Sequence, residues 1–83
     1  MEQLAERWTV LTSQVNRHVG PYPKPFSAAV LALVRETWHS IEPGPFEHDV
    51  LQTARQLAEE GNLKMALFRL HEVIEARLQG RTF

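Results

Sequence analysis

Apolar residues recur at steps of three and four through most of the chain, and two proline clusters interrupt them. Leu4, Trp8, Leu11, Val15 and then His18 or Val19 fall on one stripe, which predicts a helix over about residues 2–19. Gly20 suits the position just past its end, and Pro21 enforces the stop. The first cluster, Gly20-Pro21-Tyr22-Pro23-Lys24-Pro25, cannot be helix interior, because proline lacks the amide donor and pushes its predecessor out of the α region. A second helix is predicted over about 27–41, with Ser27 as its N-cap. Its middle, Ala28 to Val34, is apolar all round, which marks it as the central helix. Val30, Val34, Trp38 and Ile41 form its bulky side, and Ala28 and Ala32 a thin side that lets a neighbour approach.

The second cluster, Glu42-Pro43-Gly44-Pro45, precedes a third predicted helix over about 47–60. Glu47 and Asp49 would sit in its first turn, where the helix dipole favours acids, and Val50, Leu51, Ala54, Leu57 and Ala58 make its stripe. Gly61 ends it, and Asn62 caps a fourth helix over about 62–79. That helix has a wide stripe of Leu63, Ala66, Leu67, Leu70, Val73, Ile74 and Leu78, with Arg77 and Arg81 near its C-terminus. The expected fold is all-α, a four-helix bundle or set of helical hairpins in which the last two helices make an antiparallel αα-hairpin. No linker or low-complexity tract divides the chain, so residues 1–83 read as one all-helical domain.

Composition narrows the classes. The chain has 83 residues, 43% of them hydrophobic and 23% charged, too apolar for a wholly disordered segment and too short for two cores. It has no cysteine, which removes disulfides and thiolate metal sites. Its net charge of −1 disfavours a dedicated duplex binder, whose affinity comes from Lys and Arg on phosphates. No apolar run approaches the roughly 20 residues needed to span a bilayer, so no membrane association is expected. The start, Met-Glu-Gln-Leu-Ala-Glu-Arg-Trp, lacks the basic region and continuous apolar run of a secretory leader, and a cytoplasmic protein is expected.

Two local resemblances arise. Ala54, Leu57, Ala58, Gly61, Ala66 and Leu70, within Val50 to Val73, resemble one tetratricopeptide-type helical hairpin, in which small residues let paired helices pack closely. The first half has no second copy at that repeat's spacing of roughly 34 residues, so the likeness reads as a shared physical solution. Arg35-Glu36-Thr37-Trp38-His39 is similar to the Arg…His pair of the HEPN group of helical ribonucleases, with a shorter separation than that group has.

Of the candidate chemistry, the four histidines (His18, His39, His48 and His71) contain no His-x-x-x-His, and no metal site is expected. Arg35 and His39 share a helix face at i, i+4, an arrangement in which a histidine beside a guanidinium can act as general base near a clamped phosphate. Their simpler use is an ion pair for Arg35 and a helix-end position for His39. Glu72 and Glu75 are best used in solvated ion pairs with Arg69 and Arg77. No Gly-rich phosphate loop and no nucleophile elbow occurs, so neither a catalytic residue nor a cofactor is assigned.

The anomaly lies on the fourth helix. Met65 and Phe68 stand roughly 140–200° from its main stripe, with Glu72 one turn on. Two large apolar groups on an outer face fit either a helix wedged between others, with both sides core, or a partner surface, where Met and Phe are favoured types. The loop Pro21 to Phe26 is a second candidate, a stiff extended segment from which Tyr22 and Phe26 can project as anchors; the favoured reading is a rigid link whose aromatics cap the ends of the first two helices. The expected function is a small non-catalytic protein–protein interaction module: an adaptor, chaperone-like protein or regulatory subunit. Met65, Phe68, Tyr22 and Phe26 are the anchors, and Arg69, Glu72 and Arg77 the polar rim. The expected partner is a protein, a second copy in a homodimer first. The alternatives are a small helical ribonuclease using Arg35 and His39, and a nucleic-acid-binding regulator.

Overall fold

Both proline clusters end by feeding a helix. In the computed structural model, which describes residues 1–80, α1 spans Glu2–Arg17, α2 Lys24–Ser40, α3 Pro45–Glu59 and α4 Leu63–Leu78, with no strand among the described residues. Arg81, expected near the end of the last helix, lies outside the described residues. Pro23 is the N-cap of α2 and Pro25 stands in its first turn, so Ser27 is not the cap and the helix starts three residues earlier than expected. The reason is that the first amides of a helix have no intrahelical acceptor, so a proline there removes nothing, and its fixed φ suits the turn. The same logic starts α3 at Pro45, behind Gly44. The stiff extended segment expected over residues 21–26 is therefore cut short at Pro23, whose φ of −62° and ψ of 152° are its last extended pair.

α1 stops at Arg17, two residues short of expectation, with His18 already extended. Gly20 has a φ of +91° but lies beyond the turn it was expected to cap. The end of α3 follows the sequence more closely. Gly61, at φ +86°, donates its amide to Ala58 O at 3.1 Å, and the Asn62 amide donates to Leu57 O at 2.9 Å. These two bonds satisfy carbonyls that the helix end would orphan, and they require a left-handed residue at Gly61.

α1 and α3 each pack on α2 and α4 and not on each other, and the largest interface is between α3 and α4. The Cα radius of gyration, 12.0 Å, matches the roughly 12 Å of a compact chain this long. The centre of the core is α4, not α2. α4 buries Leu63, Ala66, Leu67, Leu70, Val73, Ile74 and Ala76, whereas Ala28 and Ala32 of α2 are exposed. An outward alanine strip leaves little apolar area in water, and an outward row of leucines would leave much more. Leu78, expected in the α4 stripe, is 41% exposed.

Buried alanines line the α3 and α4 faces, Ala54 and Ala58 on one and Ala66 on the other. Their small side chains suit the close approach of the two backbones. The termini of the pair remote from the connecting turn are tied by charge. Arg77, near the end of α4, donates to Glu47 of α3 from Nε at 2.7 Å and from a terminal nitrogen at 2.5 Å, and reaches Glu42 O at 3.2 Å. Glu47 also accepts the Gly44 amide at 3.1 Å. Its carboxylate is buried, and its pKa is held below the ordinary value because the Arg77 bonds outweigh the cost of burial. Arg77 is thus a structural partner of Glu47 and not part of a rim with Glu72 and Glu75. A fully desolvated carboxylate competes better for a bidentate guanidinium than half-exposed ones do.

Candidate functional site

The outer face of α4 carries the site residues. Met65 is 42% and Phe68 59% exposed, one helical turn apart. Beside them Arg69 donates to Glu72 at 3.1 Å, the pairing the i, i+3 spacing suggests. This face does not stand alone. Phe68 forms one wall of a groove of about 230 Å³ between α1 and α4, lined also by Trp8, Thr12, Asn16, Lys64 and Leu67. Trp8, Thr12 and Asn16 sit four apart on α1, and Lys64 and Phe68 four apart on α4, so two parallel helix rows make its sides.

The groove is built around Trp8. Its indole N–H donates to Leu67 O at 2.7 Å, which ties α1 to the first half of α4. His71 packs on the indole with ring centroids 4.4 Å apart, and its Nε2 stands 3.4 Å from Glu75. Thr12 is the unusual member. Its Oγ1 is buried with no hydrogen-bond partner among the described residues. The other helical threonines bonded to a carbonyl one turn back are satisfied: Thr9 donates to Ala5 O at 3.0 Å and Thr37 to Leu33 O at 2.8 Å. A buried hydroxyl without a partner costs about 1–3 kcal/mol, which an incoming acceptor or donor would relieve.

Tyr22 and Phe26 belong to a different cluster. They pack with His18 at centroid distances of 5.5 and 5.2 Å, and both are half-buried against the core. The His18 Nε2–H donates to Pro21 O at 2.8 Å. The loop aromatics therefore close the α1–α2 turn inward, and the structure groups Met65, Phe68, Arg69 and Glu72 without them. The reason is the early stop of α1, which frees the His18 ring to turn under both aromatics.

The remaining histidines do not converge. His48 stands edge-on to Trp38 at 4.9 Å, His71 is on Trp8, and His39 is exposed. Among the described residues no group of three or more His, Asp or Glu is placed to hold a metal ion, and no helix is long and apolar enough to cross a membrane. Thr12, Asn16 and Lys64 were not anticipated. The signal for Thr12 and Asn16 was that they continue the row of Trp8 at i+4 and i+8, which reads as ordinary surface until α4 is laid against it. No known family, no curated protein and no solved structure matches the chain, so neither local resemblance leads to a family assignment.

Proposed function

We propose that the chain is a small non-catalytic interaction module that docks the Met65/Phe68 face and the adjoining α1–α4 groove against a second copy of itself. The observation that carries this reading is the exposure of Phe68 on the rim of a groove that also holds the partnerless Thr12 hydroxyl. Apolar anchors beside a groove, rimmed by an Arg–Glu pair and a lysine, have the composition of an interface core with a polar edge. A domain of this size also gains from association, because it buries a smaller share of its surface alone.

The test is sedimentation or light scattering of the wild type and of Phe68→Glu. The reading expects concentration-dependent dimers in the wild type and monomers in the variant. A wild type that stays monomeric up to about 1 mM would remove the second copy as the occupant. The rival ribonuclease reading has less support. The His39 side chain makes no hydrogen bond among the described residues, so nothing orients it as a base.

A further inference from the structure

A second concavity lies between α2 and α3, separate from the α1–α4 groove. It measures about 370 Å³ and is lined by Leu31, Val34, Arg35, Trp38, His39, Arg55 and Glu59. Residues 31, 34, 35, 38 and 39 fall on one face of α2, and residues 55 and 59 one turn apart on α3. The floor is apolar, from Leu31 and Val34. Trp38 stands partly exposed in the wall, braced by His48 with ring planes at 85°.

The charges at this cleft are unevenly satisfied. Among the described arginines, Arg7, Arg55, Arg69 and Arg77 have carboxylate partners, and Arg17 has a backbone acceptor. Arg35 has neither. It is exposed, with His39 one turn further on and equally without a partner. Across the cleft Arg55 is held only by Glu59, at 3.5 Å between two half-exposed side chains. Such a pair is worth little and yields readily to a better acceptor. Arg35 and His39 also border the neighbouring α1–α2 cleft, but its other cation, Arg7, is already bound to Glu36, and no aromatic lines it.

We propose that the α2–α3 cleft binds a planar aromatic group carrying a phosphate monoester, with a purine nucleoside monophosphate as the matching size. Arg35 and His39 would take the phosphate, Arg55 would turn from Glu59 toward it, and Trp38 would offer the ring face. The volume lies at the small end of ligand pockets, which suits one nucleotide and not a dinucleotide. The free guanidinium supplies a bidentate fork for phosphate oxygens, and base–indole stacking is tolerant of which base is present. This site is independent of the Met65/Phe68 reading, and either can fail alone.

The chain's two tryptophans provide the test. Adenosine 5′-monophosphate is titrated into the 15N-labelled protein while both indole N–H signals are followed. The expected result is a saturable shift of the Trp38 signal with the Trp8 signal fixed. Adenosine alone and inorganic phosphate alone should bind at least about tenfold more weakly, since each supplies half of the contacts. Arg35→Glu should lower affinity by about tenfold or more, with an unchanged Trp8 signal showing that the fold is intact. Three results would overturn the proposal: a Trp38 signal that does not move by about 10 mM nucleotide, equal affinity in Arg35→Glu, or an equal response to inorganic phosphate alone.

Discussion

The two halves of the bundle are held together by different means. Between α3 and α4 lie the largest interface, a row of buried alanines, a glycine-terminated turn at one end and the buried Glu47–Arg77 pair at the other. Between α1 and α2 lies a depression of about 380 Å³ lined by Glu6, Arg7, Val10, Leu11, Gln14, Ala29, Ala32 and Leu33, and the two helices are joined by an exposed Arg7–Glu36 pair. Val10 at its edge is 58% exposed. The difference shows where this chain puts its stability and where it leaves surface unfinished. Two concavities that touch α1 or α2 hold a group without a partner, Thr12 in one and Arg35 in the other. The α3–α4 side is the platform that can tolerate them.

Five substitutions sharpen that contrast, from large effect to small. Leu70→Ala, in the middle of α4 with no exposed surface, should cost about 3–5 kcal/mol in denaturant unfolding, and Leu4→Ala, near the start of α1, about 2 kcal/mol. Equal losses would mean that the two halves are equally part of the core. Arg77→Ala should cost about 2–4 kcal/mol, because it strands the buried Glu47 carboxylate.

The loss in Arg77→Ala carries a pH signature. The folded pKa of Glu47 is depressed, so its pairing stabilises the fold at pH above the unfolded carboxylate's value. The stabilisation disappears as pH falls through the lower, folded value. The wild type and Arg77→Ala should therefore differ most near neutrality and converge in acid. Parallel curves across the acid range would show that the pair is not the source.

Gly61→Ala should cost about 1–2 kcal/mol, since alanine must hold a left-handed φ there, and thermal unfolding would register it. Glu36→Gln should leave the unfolding midpoint at physiological salt unmoved, although the carboxyl of Glu36 is held below its ordinary pKa by Arg7. Both side chains are about half exposed, and solvent screens the pair. A clear loss from Glu36→Gln would give α1–α2 the kind of charge tie assigned above to α3–α4 alone.

Much of the fold was legible because it depends on spacing. The apolar stripes of α1 and α4, the break at Gly61 and the closeness expected from Ala54, Ala58 and Ala66 all follow from helical periodicity and side-chain volume, which are properties of one segment. The places where the reading strayed involve competition between segments. Ser27 is a good cap by type, but Pro23 and Pro25 start the helix sooner. Arg77 has acids two and five positions back on its own helix, yet it chooses a buried one 30 residues back. Ala28 to Val34 looked like a helix buried all round, and it lost that place because α4 has more area to hide. The site was legible in part for the same reason. Met65 and Phe68 stand off the stripe by angle alone, whereas the groove beside Phe68 exists only because Trp8 reaches Leu67.

That reach also orders events in time. Trp8 and its acceptor are separated by 59 positions, and α1 also packs on a helix that begins only at Leu63. At roughly 5–20 residues per second, a ribosome needs about 3–12 s to travel from one to the other. Throughout that interval α1 has α2 to pack against but not α4. α1 is thus among the last helices to complete its packing, since the seat for its tryptophan exists only once translation has delivered α4.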